Sequence, residues 1–155
     1  MKYIVKSTLY GSKVKRYNES NSEGLNEEDL QDFCEINLAY LMDDDLRVII
    51  DDYYEADNYF PVILSLRSVD NNKWDEVKDH IIPFLIRLKS QFSLFSILRD
   101  NLYCDIELDV LFPDKGTYTH YLTTDDLVND RIDDWIRRNC KIKSISFYVK
   151  NKEVL

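Results

Sequence analysis

Apolar residues recur along this chain with two periods, and the switching between them predicts strands interleaved with helices. "KYIVKSTLY", residues 2–10, sets Tyr3, Val5 and Leu9 on one face and predicts a first strand. A polar loop, "GSKVKRYNESNSEG", follows it. Asn26 then stands at an N-cap position, with Glu27, Glu28 and Asp29 in the first turn, where the helix dipole favours anions. Leu30, Phe33, Cys34 and Leu41 continue at helical spacing. "LRVII" and "FPVILSLR" predict two more strands, the second with Pro61 near its start, where a missing donor is tolerated.

The second half repeats this alternation. "DNNKW" enters a main helix over residues 73–99, striped by Trp74, Val77, Ile81, Leu85, Leu88 and Phe92. Pro83 lies inside it and predicts a kink there, or two helices divided at that point. In "YCDIELDVLF", Cys104, Ile106, Leu108 and Val110 point one way, while Asp105, Glu107 and Asp109 point the other. "PDKG" turns the chain and "TYTHYL" returns it. Thr124 caps a helix "DDLVNDRIDDWIRRN", with Arg137 and Arg138 near its end. "KIKSISFYV" closes the chain as a strand burying Ile145, Phe147 and Val149. The expectation is a single α+β domain over 1–155, with the order β-α-β-β-α-β-β-α-β and helices packed on a mostly antiparallel sheet.

Composition adds a chemical constraint. The 155 residues carry a net charge of −9, yet 45% are hydrophobic, enough to build a core. The charge is concentrated: residues 18–57 hold fourteen acids and one base, and residues 100–134 hold ten acids and two bases. Such a surface disfavours direct contact with nucleic acid or an anionic membrane, both of which recruit cations, and favours a basic partner. The N-terminus lacks the continuous apolar run of a signal peptide, and no run is long enough to cross a membrane. Cys34, Cys104 and Cys140 are odd in number and widely spaced, which fits a reduced cytoplasmic protein with cysteines as core filler.

"LMDDDLRVIIDDYYEAD", residues 41–57, raises the question of a metal cage, a catalytic pair or a charged surface. A calcium loop requires glycine at its sixth position, and no start within this stretch provides one. Asp43 and Asp45 form a DxD pair, a weak pattern in so acidic a chain. Acid–base catalysis wants two carboxyl groups in different environments, whereas these lie among other acids and at helix starts. His80 and His120 have no companions at zinc spacing, and Gly11, Gly24 and Gly116 build no phosphate loop. A Cys104–His120 nucleophile fits poorly with an inward-facing cysteine. No catalytic residue, metal or cofactor is therefore assigned.

The remaining reading is a partner-binding surface, because carboxylates steer a basic partner and tyrosines supply rigid amphipathic contact area. Asp51, Asp52, Tyr53, Tyr54, Glu55 and Asp57 come first, with Tyr59 close behind. The row Asp105, Glu107 and Asp109 comes second, and Asp125, Asp126, Asp130, Asp133 and Asp134 third.

Over its whole length the chain resembles, in character and without a shared motif, the bacterial immunity proteins encoded beside contact-dependent growth inhibition and other polymorphic toxins. The layout running from "NKWDEVKDHIIPFLIRL" through "YCDIELDVLF" and "DDLVNDRIDDWI" to "SISFYV" is also similar to other small bacterial α+β domains. The resemblance implies tight inhibition of a cognate toxin, often a nuclease, whose basic groove an acidic inhibitor can occupy. The charge suits equally a phage-type acidic decoy that imitates nucleic acid, or an adaptor; a small enzyme of another kind is the second alternative.

Overall fold

In a computed structural model, the protein is described over residues 4–6, 25–42, 46–56, 58–66, 72–114 and 116–151. Sequence expectations for the rest of the 2–10 strand, the loop at 11–24, Asp43 to Asp45 and Asp57 lie outside these residues. The architecture is α+β. Strand β1 (Ile4–Lys6) precedes helix α1 (Glu27–Met42), followed by strands β2 (Leu46–Ile50) and β3 (Phe60–Leu66). Helix α2 (Trp74–Gln91) leads into short strands β4 (Phe92–Leu94), β5 (Ile97–Arg99) and β6 (Leu102–Cys104). Strands β7 (Ile106–Leu111) and β8 (Thr117–Leu122), helices α3 (Thr124–Val128) and α4 (Asp134–Asn139), and strand β9 (Lys141–Asn151) complete the chain.

The main sheet has the order β1-β2-β3-β9-β7-β8, with β4 also pairing β9, while β5 and β6 form a separate hairpin. Among the described strands, only β1 and β2 run parallel, the rest being antiparallel. The last strand of the sequence thus sits in the middle of the sheet. It does so because Ile142, Ile145, Phe147 and Val149 all point into one core. That core holds one sheet face and the apolar sides of all four helices, including Leu30, Phe33 and Leu38 of α1 and Trp74, Phe84 and Leu88 of α2. Phe84 joins the layers, with its ring 5.6 Å from Phe33 and 6.2 Å from Phe147. Burying one fully enclosed side chain of this size stabilises by about 1.5–3 kcal/mol, so the stripe that makes α2 helical also fixes its seat. As expected, Asn26 caps α1, accepting from the Asp29 amide at 2.8 Å.

Four boundaries differ from the sequence expectation, each for a local reason. The main helix stops at Gln91 instead of running to Arg99, because Phe92 turns extended (φ −131°, ψ 166°) to pair with the end of β9. It is not divided at Pro83. What was expected as one strand over 103–112 breaks at Asp105: β6 pairs back on β5 through a two-residue turn. There Asp100 (φ 51°) and Asn101 (φ 66°) supply the left-handed backbone that such a turn demands. The final helix splits at a left-handed Asp130 (φ 59°), and Asp133 caps the second piece. Finally, Thr123 rather than Thr124 caps α3, in a reciprocal box with Asp126.

Candidate protein-binding surface

The sheet face turned away from the helices alternates with the core positions. It carries Ile63 and Ser65 of β3, Ser144, Ser146 and Tyr148 of β9, Glu107 and Asp109 of β7, and Thr119 and Tyr121 of β8, all half-buried. At one end of this face stands the β2–β3 connection with the first group of candidate residues. The Asp51 amide bonds the Pro61 carbonyl at 2.9 Å, and Tyr54 and Tyr59 form an isolated bridge, Tyr54 N–H to Tyr59 O at 2.8 Å. Asn58 turns the chain with φ 58° and accepts from the Tyr53 hydroxyl at 3.0 Å.

Aromatic contacts tie this tip to the sheet. Tyr54 stacks on Tyr59 at 5.2 Å and 21°, Tyr53 packs on Phe60 at 4.8 Å, and Tyr59 touches Phe95 at 5.0 Å and Tyr148 at 4.9 Å. The Tyr148 hydroxyl in turn donates to Glu107 Oε2 at 2.5 Å. The chain Tyr54–Tyr59–Tyr148–Glu107 therefore joins the first and second sequence-predicted groups into one surface. Burial, then the bond and charge of Glu107, push the Tyr148 phenol far above its usual range, so it stays a donor. Burial and the Glu55 charge push the Tyr53 phenol up as well.

The tip leaves its side chains outward. Asp51, Asp52 and Glu55 are exposed, as are Tyr53 at 38% and Tyr54 at 49%. Among the described residues no cation lies within ion-pair distance of Asp51 or Glu55. Among the described residues, Asp51 accepts only from the Asp52 amide, at 2.8 Å.

Most of the other predicted acids have internal work. Asp105 does not join an outward row: it is nearly enclosed and accepts from the Thr124 amide (2.6 Å) and hydroxyl (3.0 Å), with Lys89 at 3.5 Å. Asp109 accepts from the hydroxyls of Thr119 (2.6 Å) and Ser144 (3.1 Å). These donors, together with Tyr148 on Glu107, relieve the repulsion expected among carboxylates on one sheet face. Asp126 belongs to the cap of α3, and Asp133 caps α4 by accepting from the Trp135 and Ile136 amides. Asp134 is exposed and pairs with Arg138 at 3.2 Å, while Asp125 is simply exposed.

Asp130 is the most engaged acid. It accepts from the fully buried Trp74 indole (2.6 Å) and from Lys78 (3.2 Å), and it pairs closely with Arg137. Burial opposes its charge, but the bonds from Trp74 and Lys78 and the charges of Arg137 and Lys78 outweigh that and hold its carboxyl below the usual range.

Sequence reasoning missed Tyr148 and Phe95 as parts of this surface. Tyr148 had a signal, since it falls between the inward Phe147 and Val149, whereas Phe95 was hidden inside an expected helix. The alternative chemistries gain no geometry. Burial, then the charges of Asp105, Asp126 and Asp100, push the Cys104 thiol up, the reverse of activation. Burial pulls the half-buried His120 down against the raising charges of Asp133 and Asp126. Among the described residues no three His, Cys, Asp or Glu side chains gather as a metal set, and no helix is long and apolar enough to cross a membrane.

No family model, curated protein sequence or solved structure matches the chain.

Proposed function

We propose that this chain is an immunity-type inhibitor, an acidic protein that binds and neutralises a cognate basic nuclease toxin by covering its cationic surface rather than by turning over a substrate. The observation that carries this reading is the β2–β3 tip, where the outward carboxylates of Asp51 and Glu55, with no cation at ion-pair distance among the described residues, and two exposed tyrosines sit on a backbone fixed by the Tyr54–Tyr59 bridge. A nuclease must be basic to hold phosphates, so its groove attracts such a tip over roughly a Debye length of 8–10 Å. Tyr53 and Tyr54, already held by ring contacts, lose little entropy on docking and supply the short-range area.

The test is capture from a lysate of the source cells on immobilised full-length chain, washed across a salt series and read by mass spectrometry. The reading expects one basic protein in near-equal amount, lost as salt rises, whose nuclease activity the chain abolishes. Retention of no basic protein, or of one whose activity is unaffected, overturns it.

A further inference from the structure

At the far edge of the sheet from the Asp51–Glu55 tip, β8 has a side that no described strand pairs. Among the described residues it is the last strand in the sheet order and pairs with β7 alone. The Phe112 amide bonds the Gly116 carbonyl at 2.8 Å, which sets the phase of the β7–β8 ladder. By the antiparallel alternation, Tyr118 and His120 turn their backbone groups toward β7, and Thr117, Thr119 and Tyr121 turn theirs outward. Among the described residues no backbone group bonds to that outer row. Edges of this kind are normally blunted by lysine, proline or a bulge, and "TYTHYL" carries none of these.

Each side of this edge carries a distinct receptor surface. On the helix side, Phe112 stacks with Tyr118 (5.8 Å, 23°) and meets Trp135 edge-on (5.3 Å, 87°). Tyr118 and Trp135 remain 49% and 52% exposed; of the two acids before Trp135 in the chain, Asp133 caps α4 and Asp134 pairs with Arg138, and both stay exposed to solvent. Flat, exposed aromatic faces suit a guanidinium. On the other side, a depression of about 110 Å³ is lined by Asp109, Thr117, Thr119 and Lys143, together with Tyr118. The register skip at Asp109/Val110 inserts Lys143 as an extra residue opposite β7 and directs it onto this face beside Ser144. Hydroxyls and an ammonium group in so small a space suit a short polar or acidic side chain.

We propose that β8 is a docking edge that adds an extended segment of a partner protein as a further strand, with arginines facing the Tyr118–Trp135 shelf and small polar residues facing the Thr117–Thr119 depression at alternate positions. Strand addition takes its affinity from main-chain hydrogen bonds and its specificity from pockets at two-residue spacing, and both are present here. This edge is separate from the acidic tip and does not depend on it.

The experiment is selection of a random-sequence displayed peptide library on the full-length chain, with the enriched peptides synthesised and titrated. The expected result is peptides in which arginine alternates with small polar residues. Their binding should weaken on the order of tenfold, or about 1.4 kcal/mol, in both Thr119→Pro and Trp135→Ala. Proline at 119 removes an outward N–H and no main-chain bond of the β7 ladder, although the Thr119 hydroxyl bond to Asp109 goes with it. Bound peptide should also slow hydrogen exchange at the Thr117, Thr119 and Tyr121 amides while leaving Tyr118 and His120 unchanged. If Thr119→Pro does not fold, the exchange pattern and Trp135→Ala decide the matter. No enrichment, or peptides that bind the variants as tightly as the parent and leave those three amides exchanging freely, overturns the proposal.

Discussion

Replacing Asp130 with glycine separates a structural acid from a partner-binding one. Its left-handed backbone (φ 59°) suits glycine, so the change reads mainly the loss of the carboxylate. The fully buried Trp74 indole then loses its acceptor at 2.6 Å, which costs about 1–3 kcal/mol for an orphaned buried donor. The pair with Arg137, whose side chains are 23% and 33% exposed, adds up to about 1 kcal/mol after solvent screening. Glycine also raises the entropy of the unfolded chain by a few tenths to about 1 kcal/mol. A total near 3 kcal/mol lowers the melting temperature by roughly 6–12 °C for a domain of this length.

Asp130→Asn keeps an oxygen for Trp74 and removes only the charge, so it should lose about 1 kcal/mol. Because the folded-state carboxyl lies below its usual range, its contribution is present above the unfolded pKa of about 3.9 and is lost as pH falls through the folded value. The difference between the parent and Asp130→Asn should therefore close as the pH drops below about 4. Urea unfolding at pH 7 and pH 3 measures both. A glycine variant within about 0.5 kcal/mol of the parent at pH 7 refutes the Asp130 network as a clamp between α2 and the α3–α4 connection.

Other expectations concern the same framework. Tyr148→Phe keeps the ring against Tyr59 but leaves Glu107 without its donor, so chemical denaturation should show a loss of about 0.5–1.5 kcal/mol, and no loss would mean that the bond contributes nothing. Thr123→Ala removes the cap of α3 and should cost about 1 kcal/mol by the same assay, whereas Thr124→Ser, which keeps the hydroxyl to Asp105, should cost less. Cys34, Cys104 and Cys140 are all buried, and burial pushes the Cys34 thiol up to about 12, so a thiol reagent at pH 8 should label the native chain slowly and all three sites once it is unfolded. Rapid labelling of the folded chain would contradict that packing.

The fold was legible wherever a period ran uninterrupted. The alternation in "IELDVL", "TYTHYL" and "KIKSISFYV" located β7, β8 and β9, and the Trp74–Leu88 stripe located α2. What escaped were the interruptions. Phe92 fits the helical stripe of α2 and the edge of β9 equally well by pattern, and pairing with Asn151, far along the chain, decides between them. Asp130 looked like one more helix-surface acid because its partner Trp74 lies 56 residues away. The charged, tyrosine-bearing tip was readable from composition, since acids and tyrosines cluster within a few residues. Its connection through Tyr59 and Tyr148 to Glu107 was not, because it depends on which strands become neighbours.

The most direct measurement for the central claim is the association rate between the chain and the basic protein it captures, followed over ionic strength for the parent and for the Asp51→Lys, Asp52→Lys, Glu55→Lys triple variant. The account predicts a parent rate that falls steeply with salt. The folded variant should associate on the order of tenfold or more slowly at low salt, with a much smaller change in dissociation. Equal association rates for the two chains at low salt would contradict it.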